Sequence, residues 1–479
     1  MFESRGMKPG DRVFIGYGNR IEFFLDLLAI WSLGGSAVPL DSHLTAFELR
    51  NLLGAAKPRY FVHDDNLDSD FRAVLGEEGV GLIDTTSAGS NWNGLGATDT
   101  NELIAKLNTA KGEALILFTS GSTDQPKGVV HTHGSLRAKW QALSAELESR
   151  SFRRTLCMLP THFGHGLICN ALFPWLSHHK LFLLPPFSPQ LIMSLGEVLT
   201  RHGITFLSSV PAIWQLALKT PRPDNSQLIE VFCGSAPLSR SLWQEISNWC
   251  GGATVRNVYG ITETGSWIVG SPPDADPMDG LVGTGWGASI SITRGSTPDH
   301  SPATGAFCAQ GIVGHIWLKT PALMQGYLDR QDLTEQAVSE NWFSTGDIGL
   351  IDEQGRLILK GRERDEINRG GMKVYPADIE AVASSFPLVR DCCSFACPDP
   401  HYGQSVGIAL VLEKDDPATM KALHSWISDH LAGHKIPTTW FLLEEIPKTS
   451  RGKVKRGELA DHCAERTPVD MAQILEAAT

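Results

Sequence analysis

At 479 residues the chain is too long for one hydrophobic core, so two or three domains are expected; 42% hydrophobic and 20% charged residues exclude a disordered or fibrous class. A formal net charge of −12 without a compensating basic tract argues against nucleic acid as a partner. No apolar run reaches membrane-spanning length and the first residues, Met1 to Arg5, are not a secretory signal, so a cytoplasmic protein without membrane insertion is expected.

Residues 12–16 carry a strand pattern and 20–33 apolar residues at helical spacing. Strand 114–118, helix 135–148, strand 204–208, helix 212–218, strand 228–233, helix 239–249 and strand 255–258 follow. This alternation predicts α/β architecture, a large N-terminal domain of layered sheets. From 280 to 360 the texture changes to Gly, Pro and short β-rich runs, predicting a small β-barrel subdomain. After Gly361 a compact α+β unit is expected, with helix 377–384, strands 391–396 and 406–412, and helix 417–430. The expected division is therefore 1–361 and 362–479. Nine cysteines, an odd number, lack zinc-type pairing; even Cys392, Cys393 and Cys397 have no second ligand pair, and all read as small core residues in a reducing compartment.

Three loops begin where predicted strands end, after Phe118, Cys233 and Val258. Open α/β sheets bind ligands beyond the carboxyl ends of their strands, so these loops point to one shared site. The first is the most telling. Thr119, Ser120, Gly121, Ser122 and Thr123 crowd hydroxyls and backbone N–H groups together ahead of Lys127, a composition suited to wrapping a polyphosphate. It is not a Walker loop, because Pro126 and Gly128 stand where that motif needs Gly and Ser/Thr. A solvated Ser/Thr turn is the plainer reading of this loop alone.

Four further segments accompany it: Asn257-Val-Tyr-Gly-Ile-Thr-Glu263, Ser344-Thr-Gly-Asp347, Gly361-Arg-Glu-Arg364 through Gly371, and Pro447-Lys-Thr-Ser-Arg-Gly-Lys453. In this order the five resemble the adenylate-forming superfamily of acyl-CoA synthetases, aryl-acid ligases, peptide-synthetase adenylation domains and beetle luciferases. The resemblance runs from Lys8 to Leu459. Only seven residues precede Lys8, fewer than relatives usually carry, which bears on the packing of the first subdomain more than on the chemistry.

The resemblance implies an AMP-binding domain followed by a small, mobile C-terminal domain that carries the catalytic lysine. Thr119, Ser120, Gly121, Ser122, Thr123 and Lys127 would hold the β- and γ-phosphates of ATP. Tyr259 would stack on adenine and Asn257 meet its exocyclic amine, with Gly260 in the same motif and the backbone of Gly234, Ser235 and Ala236 along the base. Thr262 would touch the α-phosphate and Glu263 hold Mg²⁺, which favours carboxylate oxygen. Asp347 would grip the ribose hydroxyls and Arg362 add a ribose or phosphate contact. Lys453 would insert between the substrate carboxylate and the α-phosphate, where a compact ammonium stabilises growing negative charge. Arg364 stands at the pivot of domain rotation, and Gly371 would line the tunnel for a pantetheine thiol. Taken singly these residues have ordinary readings: a core aromatic for Tyr259, a helix start for Thr262 and Glu263, surface charges for Asp347, Arg362 and Lys453. Asp124 replaces a usual glycine in the phosphate loop, and its carboxylate is expected to point outward.

The acid site is less sharply marked. Leu159 to Leu167 aligns with a substrate-pocket motif in which Phe163 takes the usual histidine position, flanked by His162 and His165. Lacking a third ligand, the two histidines suit a pocket wall or gate better than a metal pair. No Asp occurs from Leu159 to Trp175 to pair an α-ammonium, which favours an acid without an α-amine. Ser266 and Trp267 are expected to shape the pocket floor, and His131, His133, His178 and His179 to be structural or surface residues. The expected activity is that of an ATP- and Mg²⁺-dependent acid–thiol ligase. It would form an acyl-adenylate and pyrophosphate from a small carboxylic acid, then pass the acyl group to coenzyme A. Transfer to the phosphopantetheine arm of an acyl carrier protein is the alternative acceptor, and a non-catalytic binding protein of the same fold is the alternative class.

Overall fold

The computed structural model describes residues 2–41, 44–64, 67–86, 112–119, 126–185, 189–224, 226–369, 372–449 and 454–476. Among them the strands form sheets of seven, twelve and five. The first sheet contains β1 (Arg12–Ile15), β2 (Ser36–Pro39), β3 (Tyr60–His63), β4 (Gly81–Asp84), β5 (Glu113–Thr119) and β6 (Lys127–Thr132). The first five are parallel, and β6 folds back antiparallel on β5. The second sheet has a parallel half made of β7 (Arg154–Cys157), β8 (Lys180–Leu183), β9 (Phe206–Ser209), β10 (Glu230–Gly234) and β11 (Thr254–Ile261). Strand β12 (Ser266–Gly270) returns antiparallel to β11. Leu281–Gly285 then pairs with both β12 and Leu357–Arg362, and so connects the antiparallel strands Ser289–Thr293, Gly314–Lys319 and Trp342–Ile351.

Period-two burial explains the layering. In β5, Leu115 and Leu117 enter the core between the two sheets, while Ile116 enters the core on the first sheet's outer face. In the second sheet Cys157, Phe206 and Phe232 face the shared core, and Leu156, Leu207, Val231 and Cys233 face a separate outer core. Helices Ile21–Ser32 and His133–Glu146 and the π-helix His165–Leu172 lie in the shared layer. Strands buried on both faces read as continuous apolar runs, as 114–118 does; each such side chain contributes roughly 1.5–3 kcal/mol of burial.

The predicted elements appear with small shifts. Segment 12–16 is Arg12–Ile15, 212–218 is Pro211–Ala217 and 239–249 is Arg240–Cys250, the last capped by the Ser239 hydroxyl and closed by Gly251 in the left-handed region. Helix 135–148 starts earlier, at His133, because Thr132 and Ser135 form a reciprocal capping pair at 3.0 and 3.1 Å. Phe2 and Met7 are buried in the first core, so the segment ahead of Lys8 packs onto it. No cysteine forms a disulfide. Among the described residues no helix is long and apolar enough to cross a membrane.

The five-stranded sheet comes last in the chain and is built on the hairpin Val389–Asp399 and Gly403–Leu412. Helices Pro376–Ser384 and Pro417–His430 cover one face through Ile379, Met420, Leu423 and Ile427. Phe395, Val411, Phe441 and Leu459 pack on the other.

Candidate active site

The site grows from the carboxyl ends of β10 and β11, which run parallel with Gly234 opposite Val258. A Cβ on Gly234 would stand 2.3 Å from the Val258 carbonyl oxygen, so only glycine allows the two ends this close. The next residue, Ser235, has a φ of +65°, a left-handed conformation that costs a non-glycine residue about 1–3 kcal/mol. Its hydroxyl lies 2.7 Å from Nδ1 of His165, and the other ring nitrogen lies 2.6 Å from the Ser208 hydroxyl. Both nitrogens of this buried imidazole are therefore engaged, leaving neither for a metal. Among the described residues no group of three or more His, Cys, Asp or Glu side chains is placed to hold a metal ion.

Tyr259 and Asp347 meet one strand further on. The Tyr259 hydroxyl donates to Asp347 Oδ2 at 2.5 Å, and Arg362 Nε lies 3.1 Å from Oδ1. Register sets this pairing, since Asp347 and Arg362 are opposite each other on neighbouring antiparallel strands. Burial and the adjoining carboxylate hold the Tyr259 phenol well above its usual pKa, so it remains a neutral donor. Each carboxylate oxygen can accept more than one hydrogen bond, so Asp347 keeps capacity for further donors. Asn257 is buried and donates its side-chain amide to the Leu281 carbonyl at 2.8 Å, leaving its side-chain oxygen as the group suited to an amine.

The loop expected to hold phosphate connects β5 to β6, with Thr119 paired to Lys127 in the ladder. The chain thus leaves the loop into an antiparallel strand, and the next helix starts only at His133. Ser120, Gly121, Ser122, Thr123 and Asp124 lie outside the described residues, as do Gly371 and Lys453. Lys127 Nζ stands 5.8 Å from the ring centre of Tyr327, and the Tyr327 hydroxyl donates to Glu263 Oε1 at 2.8 Å. Burial, then the Glu263 charge, pushes the Tyr327 pKa up. Sequence reasoning missed Tyr327; it reaches Lys127 and Glu263 only because Gly326–Tyr327 adds as an edge strand to β6.

Between β11 and β12 the residues Thr262 to Trp267 form a tight turn. A Cβ on Gly260 would sit 2.3 Å from the Ser266 carbonyl oxygen, where β11 and β12 slip register. Gly265 and Ser266 both adopt positive φ, +68° and +69°. Three buried side chains hold the turn from its core side. His131 Nε2 donates to the Thr262 carbonyl at 2.8 Å, the Cys169 thiol to the Gly265 carbonyl at 3.3 Å, and Lys139 Nζ to the Trp267 carbonyl at 2.6 Å. Burial lowers the His131 pKa to about 4, making it a neutral donor, and raises Cys169 to about 11. None of the three had been given a role from sequence; His131 comes closest, having been read as structural or surface, and it is structural.

The residues expected at the acid pocket separate. His165 joins the Ser235 turn, and Trp267, 1% exposed, packs edge-on against His165, Phe206 and Phe232 with ring centres 4.9–5.9 Å apart. His162 instead turns toward Asp41, Nε2 to Oδ2 3.5 Å, with its ring against Phe163. Beyond the large sheets, Arg364 occupies a one-turn 3₁₀ segment, its side chain 56% exposed beside Asp365. Asp378 is shared by Lys360 at 3.0 Å and Lys435 at 2.7 Å, linking the strand before that segment to the five-stranded sheet's unit. Arg456 pairs with Glu380 at 2.5 and 2.9 Å and reaches Asp365 at 3.5 Å.

The family model of the AMP-binding enzyme matches residues 1–328, and that of the AMP-binding enzyme C-terminal domain matches 378–453. The chain is 26% identical to an oxalate–CoA ligase of Arabidopsis thaliana, across 96% of this chain and 90% of that protein. Among solved structures it matches ATP-bound MatB from Rhodopseudomonas palustris with a TM-score of 0.81 at 26% identity, covering 97% of this chain and 91% of that one. The O-succinylbenzoate coenzyme A synthetase MenE of Bacillus subtilis, in complex with ATP and magnesium ion, matches with a TM-score of 0.77 at 26% identity, over 96% and 91% of the two chains.

Proposed function

The chain belongs to the AMP-binding enzyme family and is an AMP-forming acid–CoA ligase, and from that premise we propose that it activates a short, polar carboxylic acid and passes it to free coenzyme A. The observation that carries this reading is the meeting of three polar groups at the carboxyl ends of β10 and β11: His165 with Ser235, Tyr259 with Asp347 and Arg362, and Glu263 with Tyr327 beside Lys127. The first sets the Ser235 turn beside the buried Trp267, and there the acid is placed, with the Ser235 hydroxyl rather than the doubly bonded His165 ring as the polar group facing it. The similarity to oxalate– and malonate–CoA ligases fits the same class of acid, while a feruloyl-CoA synthase is equally similar, so the choice of acid is left to the assay.

ATP and Mg²⁺ complete the reactants. Asp347 accepts the ribose hydroxyls while Tyr259 and Arg362 keep its carboxylate in place, and the Asn257 side-chain oxygen receives the adenine amine. The loop from Thr119 to Lys127 holds the outer phosphates. Glu263 fits a magnesium ion, since its hydrogen bond from Tyr327 takes only one of two hard oxygens. Bound there, the metal would neutralise phosphate charge. Carboxylate attack on the α-phosphorus brings two anions together, so the barrier falls mainly through fixed positive charge and positioning. Lys453 supplies that charge from the C-terminal unit, and the Thr262 hydroxyl donates to the α-phosphate. Pyrophosphate leaves; the unit after residue 361 then turns about Arg364, carrying Lys453 away and bringing Gly371 to the thiol's path, where the thiol sulfur attacks the acyl carbon, AMP leaves and the thiol proton is lost to solvent.

Free coenzyme A is the proposed acceptor, tested by incubating the purified protein with ATP, Mg²⁺, a short acid and CoA. Acyl-CoA should accumulate without a protein partner. Adenylate that discharges only onto an added acyl carrier protein would replace this acceptor.

A further inference from the structure

Lys139 lies in helix His133–Glu146, is 1% exposed, and serves none of the roles above. Burying an ammonium without a carboxylate is costly, and such groups survive where they do something a neutral residue would not. Among the described residues no ion pair reaches it; its titratable neighbours are the Cys169 thiol and the His131 imidazole. Its hydrogen bond is to the Trp267 carbonyl, 128 positions later in the chain. Its stem lies against the turn, for a Cβ on Gly265 would be 3.3 Å from Lys139 Cε. The Trp267 indole N–H is buried with no hydrogen-bond partner among the described residues, so no polar contact of the side chain fixes that ring. Beyond its edge-on packing against His165, Phe206 and Phe232, the residue is held through its backbone carbonyl.

We propose that Lys139 is a positioning residue for the acid subsite, holding the Trp267 carbonyl from the core side and so fixing the tryptophan that closes the subsite behind His165. The three grips on the turn divide the labour by position. His131 holds the Thr262 end, beside the α-phosphate; Lys139 holds the Trp267 end, beside the acid. The inference rests on the reading of His165, Ser266 and Trp267 as the acid subsite.

The test measures pyrophosphate exchange at varied acid and varied ATP for Lys139→Met and His131→Phe, with hydrogen exchange over residues 262–270 as a readout that needs no turnover. Lys139→Met should raise the acid KM about tenfold, the effect of one charged hydrogen bond, while the ATP KM changes less than twofold. His131→Phe should act mainly on the ATP KM. Lys139→Met should also speed amide exchange over 266–270 without changing it over 113–119. An unchanged acid KM, or acid and ATP KM rising together, would overturn the assignment while leaving the ligase reading intact. If no acid supports exchange even in the unmodified protein, the ligase reading fails instead, and amide exchange alone decides for Lys139: faster over 266–270 upholds the grip, unchanged refutes it.

Discussion

The two sides of the turn from Thr262 to Trp267 are built from opposite chemistry. Its outer side presents Thr262 and Glu263 toward partly exposed polar groups, with Tyr327 and Lys127 nearby. Its core side is gripped by His131, Cys169 and Lys139, all buried. The outer side is arranged for ligands that bring charge. The core side is arranged for rigidity, and at Lys139 it accepts a destabilising charge to obtain it. Function and stability therefore pull in different directions across a few ångströms, and substitutions on the two sides should separate them.

The largest effect is expected on the ligand side. Lys453→Ala should lose roughly 3–4 kcal/mol of transition-state stabilisation, about a hundred- to a thousandfold in adenylation rate, yet still consume a chemically prepared acyl-adenylate when given CoA. Arg364→Pro, which restricts the backbone at the proposed pivot, should show the reverse. Equal depression of both half-reactions by both variants would mean one rigid arrangement performs the two steps.

On the core side Lys139→Met should stabilise the fold while impairing acid use. Burial lowers the Lys139 pKa from 10.5 to about 8, so between these values the unfolded chain binds the extra proton and stability rises with pH; below about 8 the full penalty is present. That penalty is on the order of 3 kcal/mol, and the Trp267 carbonyl left without its donor takes back about 1–2 kcal/mol. Unfolding measured at pH 7 should show a net gain of roughly 1–2 kcal/mol, and the rise between pH 8 and 10 should vanish. A destabilised variant with the rise intact would show that the ammonium is not the strained group.

Tyr327→Phe tests the boundary between the two sides. It removes one hydrogen bond to Glu263 and should raise the Mg²⁺ concentration for half-maximal activity several-fold, about 1 kcal/mol, with little change in unfolding temperature. Smallest of all, Asp124→Gly should alter the apparent ATP affinity only slightly, the outcome expected of a carboxylate that contributes nothing to nucleotide binding; a large gain would show an electrostatically compromised loop.

The same division separates what was legible in the sequence. Motif residues on the ligand side were legible through the resemblance rather than through nearness in the chain: Tyr259 and Asp347 are 88 positions apart, and the structure brings them together with Arg362, which lies opposite Asp347 on the neighbouring strand. The strand and helix pattern was readable because burial repeats at 2 or 3.6 residues along the chain. Lys139, Cys169 and Tyr327 were not readable. Each acts on a residue tens of positions away, through sheet order and edge pairing that local pattern does not encode. The π-helix His165–Leu172 escaped because its turn is wider than the helical period sought, and β6 because the hairpin follows a loop read as leading onward to a helix.

Isotope exchange between pyrophosphate and ATP measures acid activation through an adenylate alone, without the transfer to thiol. With a panel of short, fatty and aryl acids, the protein should catalyse exchange that requires both Mg²⁺ and an acid and is fastest with short polar acids. Absence of acid-dependent exchange across the whole panel, from protein shown to be folded, would contradict the account and favour a non-catalytic binding protein built on this fold.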